Sequence, residues 1–141
     1  MNSSNTNSGG WTSCAMRSTH LPAILALMPT EVQNGIREVN KMTSAGSQSA
    51  TINTTADKLF LLSEIEIFGS VSYSKSGEGT QYDYYKAGNS KVKNYNGSAS
   101  SWWERSPYGS YSTNFCYVDS YGGANYDGAS YALGVAFGFC F

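Results

Sequence analysis

The sequence predicts an α+β domain, with short helices early, twisted antiparallel strands late and long loops between them. Three observations carry that prediction. Before residue 30, apolar residues recur at helical spacing: Trp11, Cys14 and Ala15, then Leu21, Ile24, Leu25 and Met28. After residue 100 the text turns aromatic and alternating and is cut by glycines, as strands and tight turns are. Between them lie long polar stretches, and nowhere do strand and helix alternate as a doubly wound sheet requires.

The elements follow in order. "MNSSNTNSGG" is polar and uncharged, so residues 1–9 read as a disordered leader or as the cut end of a longer protein, and 10–141 as one domain. Trp11 to Thr19 predicts a first helix. Pro22 suits the opening turn of a second and Pro29 stops it. Thr30 with Gln33 reads as a capping-box pair opening a third helix at Glu31, which Gly35 ends. "IREVNKMT" alternates Ile36 and Glu38 against Arg37 and Val39 and predicts a strand. Residues 44–57 read as a polar loop, and "KLFLLS" as a short buried strand. Ser63 is the expected N-cap of "EIEIFG", with Glu64 and Glu66 at the positive helix end and Gly69 as its stop. Residues 70–79 read as loop, "QYDYYKAG" as one or two helical turns closed by Gly88, and 89–101 as polar linker. "WWERSPY" is an aromatic strand closed by Pro107, and the tail gives two or three strands with turns at Gly122–Gly123 and Gly128.

Within the tail, alternation sends Cys116, Val118 and Ser120 to one face, expected inward, and Tyr117, Asp119 and Tyr121 to the other. In "GVAFGFCF", Val135, Phe137, Phe139 and Phe141 share one face and Ala136, Gly138 and Cys140 the other. Both faces are apolar, which predicts a central strand packed on both sides.

With nine basic and ten acidic residues and a net charge of −1, the chain offers no electrostatic reason to bind nucleic acid or an acidic membrane. No run is long enough to span a bilayer, so membrane insertion is not expected. Cys14, Cys116 and Cys140 match no zinc spacing; they read as buried free thiols, with a Cys116–Cys140 bridge as the alternative. The only histidine, His20, reads as a helix-junction residue that caps or packs. Asp57, Glu64, Glu66, Asp83 and Glu104 read as scattered, solvated carboxylates, and Arg105 as a scaffold residue pairing with a carboxylate or loop carbonyls. Trp11 and one of Trp102 and Trp103 read as core, the other as a floor under the tail. No phosphate loop, dinucleotide fingerprint, zincin or nucleophile-elbow motif occurs, so no catalytic residue, metal or cofactor is expected.

From Tyr108 to Phe141 there is no Lys, Arg, Glu, Gln, His, Met or Trp, yet six tyrosines stand there: Tyr108, Tyr111, Tyr117, Tyr121, Tyr126 and Tyr131. Tyrosine among Ser, Gly, Asn and Asp is the composition of antibody paratopes: large contact area at low entropic cost beside adaptable hydrogen bonding. That composition predicts a binding surface rather than strand packing alone.

"WWERSPY" followed by "GVAFGFCF", with "MRSTHLPAIL", "LFLLSEIEIFG" and "YDYYKAG" upstream, resembles a bacterial and phage domain family marked by W-W-x-R-S-P and a closing G-V-x-x-x-F. The resemblance covers nearly everything from about Gly10. It implies a C-type-lectin-like fold, and it extends to the variable proteins of diversity-generating retroelements, whose C-terminal segment is rewritten at adenines. An AAY asparagine codon so rewritten yields Tyr, Asp, Ser, Gly, Thr, Leu and others but never Lys, Glu, Gln, Met or Trp; Arg and His would be allowed and happen not to appear. The resemblance therefore implies a variable segment of about 108–133, with ligand-binding positions Tyr108, Tyr111, Thr113, Tyr117, Asp119, Tyr121, Gly123, Tyr126, Asp127, Ser130, Tyr131 and Leu133. Asn114 and Asn125 would be unmutated codons or fixed residues. The implied partner is a protein or glycan receptor on another cell. The implied location is a virion or cell surface, with homo-oligomerisation open. Two rivals stand beside this reading. One is an oxidase like the formylglycine-generating enzymes, which share the fold type and need a reactive cysteine pair. The other is a purely structural virion or surface module.

Overall fold

The computed structural model describes all residues, 1–141, and its architecture is α+β. The helices are short. Helix α1 (Gly10–Ser13) leads through a π-helical turn at Met16–His20 directly into α2 (Leu21–Ala26), with Pro22 in its first turn as expected. Helix α3 (Thr30–Gly35) opens at Pro29 without a side-chain cap. The expected Thr30–Gln33 capping pair does not form, because the Gln33 amide donates instead to Met28 O at 2.8 Å.

Strands β1 (Val39–Ser44) and β2 (Ile52–Asp57) form an antiparallel pair in the register Lys41↔Thr55 and Val39↔Asp57. Half of the expected loop 44–57 is therefore strand. Its inward residues are polar, Thr55 and Asp57, and this hides the strand from a hydrophobicity reading. Asp57 is buried because the Trp11 indole donates to Oδ2 at 2.9 Å and Arg17 Nε to Oδ1 at 2.6 Å.

Strand β3 (Phe60–Leu61) is buried, as "KLFLLS" predicts. Helix α4 (Glu64–Phe68) carries the expected cap in full: Glu66 N donates to Ser63 Oγ at 3.3 Å, and Ser63 N donates back to Glu66 Oε2 at 3.0 Å. Gly69 closes it in the left-handed region, at φ 76°. Ser63→Ala is expected to cost about 1–2 kcal/mol, read from urea unfolding; a loss below ~0.3 kcal/mol would mean that tertiary packing alone holds α4.

After the single turn α5 (Asp83–Lys86) come β4 (Lys93–Tyr95) and β5 (Ser98–Ser100), a hairpin. It replaces the expected polar linker. The signal was Asn96–Gly97, whose positive φ angles of 49° and 82° suit a two-residue hairpin turn. Strands β6 (Trp102–Pro107), β7 (Asn114–Val118) and β8 (Ala124–Gly128) make a three-stranded antiparallel sheet with β7 in the middle. The main core of Trp11, Leu21, Leu61, Trp103 and Phe115 covers one face. Ile67 of α4 and Tyr85 of α5 meet Trp102 and Val118 on the other.

Two sequence expectations fail here for physical reasons. The closing segment is not a central strand. Only β9 (Phe137–Gly138) is strand, paired with β3, while Val135, Phe139, Cys140 and Phe141 are exposed, Phe141 at 68%. The central position goes to β7, and the outer edge of β6 is taken by Gly134, which accepts from Trp103 N at 2.9 Å. A Cβ at Gly134 would come 2.9 Å from Ser101 O, so only glycine allows that approach. Residues 1–9 are not a disordered leader either: Asn7 is fully buried, and Asn2 N donates to Ala129 O at 2.8 Å.

Candidate binding surface

The segment 108–133 comprises a loop, β7, a tight turn, β8 and a second loop. Tyr111, Thr113, Tyr121, Ser130 and Tyr131 are exposed, Tyr121 at 92%. Tyr108, Tyr117, Asp119, Gly123, Tyr126, Asp127 and Leu133 are half-buried. Of the residues between them, Gly109, Phe115, Cys116, Val118, Gly128 and Ala129 are buried, while Ser110, Ser112 and Ala132 are exposed. Every candidate position thus reaches solvent, while the six buried residues hold the chain to the core.

The structure groups these candidates unequally. Tyr108 and Tyr126 stack at 4.0 Å between ring centroids, and Tyr111 meets Tyr108 edge-on at 5.2 Å. Tyr73 completes the cluster, 5.0 Å from Tyr126 and 5.9 Å from Tyr108, in edge-to-face contacts. Sequence reasoning left Tyr73 in an undistinguished loop. The buried carboxylate of Glu64 orders that loop by accepting from the amides of Ser72, Tyr73 and Ser74, and Gly109 N donates to Tyr73 O at 2.8 Å.

Tyr117 does not point away from the core with Tyr121. It shares the Phe115 face of β7 and lies edge-on to Trp103 at 5.9 Å. Trp102 and Trp103 are both core, and Trp103 also floors the tail. Asp119 serves the turn: its Oδ1 accepts from Tyr121 N and Gly123 N, each at 2.9 Å. A Cβ at Gly123 would meet Asp119 Oδ2 at 2.9 Å, so these two positions are coupled rather than independently displayed. On the outer edge of β8, Asn125 Oδ1 accepts from Tyr126 N and Asp127 Oδ1 from Gly128 N, which blunts that edge against strand addition. Leu133 packs on the main core and lines an open cleft of about 500 Å³ with Tyr95, Ser100, Ser101 and Ser120.

Beneath the surface the carboxylates are not solvated as expected. Glu64, Glu66, Glu78 and Glu104 are buried; only Asp83 among the expected set is exposed, and Asp57 is buried as described. Burial pushes Glu66 up, but hydrogen bonding and charge from Arg105, with the charge of Lys41, outweigh it and leave its carboxyl below the usual range. Burial pushes Glu78 up to about 7 against hydrogen bonds from Ser106 and Ser44 N. Burial, then the charges of Glu64 and Glu78, hold the Glu104 carboxyl well above the usual range. His20 is exposed and caps nothing. Cys14 and Cys116 are free and buried, and Cys140 is free and exposed, so no bridge joins the β7 thiol to the C-terminal one. No group of three or more His, Cys, Asp or Glu side chains is arranged to hold a metal ion. No helix is long and apolar enough to cross a membrane.

Residues 1–140 match the family described as "Domain of unknown function (DUF6273)", and the chain belongs to that family. No curated protein and no solved structure matches it.

Proposed function

We propose that this DUF6273 chain is a ligand-binding domain of C-type-lectin-like type whose segment 108–133 is a diversified recognition surface. Its partner would be a protein or glycan receptor on another cell, met from a virion or a cell surface. The observation that carries the reading is the pattern of exposure. The twelve positions that the resemblance assigns to the variable surface all reach solvent, and the residues anchoring them, Phe115, Cys116, Val118 and Ala129, are buried. A rigid scaffold beneath variable, tyrosine-rich side chains is the economical way to change specificity without changing fold.

Tyr121→Ser and Tyr131→Ser are expected to leave stability within about 0.5 kcal/mol. Tyr117→Ser should cost about 1–2 kcal/mol, since it gives up the Trp103 contact and its share of the core. The binding test uses the fluorescently labelled domain on a panel of intact bacterial cells and on immobilised glycans. Any cell or glycan that retains the parent should retain Tyr121→Ser/Tyr131→Ser at least tenfold more weakly. Equal retention would remove the recognition role from those positions. The diversification half has its own test at the gene. A nearly identical repeat beside a reverse transcriptase gene, differing at adenines, is expected, and without it that half fails.

A further inference from the structure

The main chain of the display loop has an anchor outside the display segment. Asn7 is fully buried, with a relative exposure of 0%. Its Nδ2 donates to Asn114 O at 2.7 Å and to Tyr111 O at 2.8 Å, with Tyr108 O farther off at 3.4 Å. Its backbone N donates to Ser112 O at 2.8 Å. On the other side, Oδ1 accepts from Ser47 N at 2.8 Å, and the Asn7 carbonyl accepts from Gly10 N at 2.9 Å. One asparagine therefore ties the loop 108–114 to the turn after β1 and to the start of α1. A neutral primary amide suits the place: it donates and accepts at once, without the cost of a buried charge.

Each contact that Asn7 makes on the loop is to a main-chain carbonyl, and that decides the inference. Tyr108 and Tyr111 are themselves display positions, yet replacing their side chains leaves their carbonyls in place. We propose that Asn7 is the positioning residue of the display loop, fixing the path of residues 108–114 whatever side chains they carry. That the loop serves recognition rests on the binding reading above; the clamp does not.

The test is amide hydrogen exchange on the full chain. The Tyr108 amide donates to Asn114 O and the Gly109 amide to Tyr73 O, so both report the loop's closure. In Asn7→Ala these two amides should exchange at least tenfold faster, while those of Phe115 to Val118 stay within twofold of the parent. In the triple variant Tyr111→Ala/Ser112→Ala/Thr113→Ala, which keeps Asn7, both reporters should stay within twofold. The proposal is overturned if Asn7→Ala leaves Tyr108 and Gly109 protected, or if it speeds all strands alike. It is also overturned if the triple variant loosens the loop as much as Asn7→Ala does. Should Asn7→Ala fail to fold, Asn7→Ser, which lacks the amide's reach but keeps a small polar side chain, takes its place with the same expected rates. Neither measurement needs a ligand. Tyrosine variants that keep full cell binding would sink the recognition reading without moving these rates.

Discussion

Arg105→Met is expected to lower the unfolding free energy by about 3–5 kcal/mol, a large part of what a domain of this size commonly has. The guanidinium is fully buried and is shared among elements far apart in sequence. Nη1 donates to Glu66 Oε2 at 2.5 Å and to Leu61 O at 2.8 Å. Nη2 donates to Glu66 Oε1 at 3.0 Å and to Glu78 O at 2.8 Å, and Nε reaches Thr43 Oγ1 at 3.2 Å. β1, β3, α4 and the loop before α5 are thus tied to β6 by one side chain. Methionine fills most of the volume but donates to none of those oxygens, and Glu66 keeps only Lys41, Tyr82 and the Ser63 amide. Arg105→Lys should recover little, because a point ammonium lacks the planar fork that serves several acceptors at once. Glu66→Met in the same chain should relieve part of the loss, since no carboxylate is then buried without its main partner. Urea unfolding of the two single variants and the double one checks this. A loss below ~1 kcal/mol for Arg105→Met, or strict additivity in the double, would refute the hub.

That hub also marks how far the sequence could be read. The strand in "WWERSPY", the scaffold role of Arg105, the cap at Ser63 and the early helices were legible, because each rests on local chemistry: alternation, a hydroxyl before acidic residues, a proline in a first turn. The failures share one cause. Where buried residues are polar, hydrophobicity points the wrong way. β2 turns Thr55 and Asp57 inward, β1 turns Lys41 and Thr43 inward with Met42 exposed, and Glu64 and Glu66 face loop amides and Arg105 instead of water. The opposite error fell on "GVAFGFCF", whose phenylalanines look central, yet only Phe137 enters a two-residue strand while Phe139 and Phe141 are exposed. Partners for such groups come from residues 8 to 107 positions away, as Glu64 finds Ser72 and Asn7 finds Asn114, and no local pattern announces them. Of the candidate surface, exposure was legible and roles were not. Tyr121 and Tyr131 stand free, while Tyr117 leans on Trp103 and Asp119 builds its own turn.

The second large effect lies one residue before that hub. Glu104 is fully buried and neither carboxylate oxygen has a hydrogen-bond partner. Glu64, Glu78 and Arg105 act on it by charge, and the Tyr85 and Cys116 side chains feel its charge in turn. Burial first, and the two neighbouring carboxylates next, hold its proton on well above the ordinary range. Glu78, with a value of about 7, behaves alike. In both cases the folded state binds the proton more tightly than the unfolded chain. Their stabilisation is therefore whole below the unfolded value of 4.5 and is lost as the pH rises toward each folded value. The domain should thus be more stable at pH 5 than at pH 8, the reverse of what a salt-bridged carboxylate alone gives. Glu66 acts in that usual sense, and its contribution goes only as the pH falls below 4.5. Glu104→Gln keeps the shape and removes the ionisation. It should match the parent near pH 4 and exceed it by about 2 kcal/mol or more at pH 8, the order of the penalty for an unpaired buried charge. Glu104→Met should gain at every pH, since it also removes the orphaned oxygens. Urea unfolding at pH 4, 6 and 8 decides. If Glu104→Gln follows the parent at all three, the carboxylate has a partner in solution and the acid-stable fold is refuted.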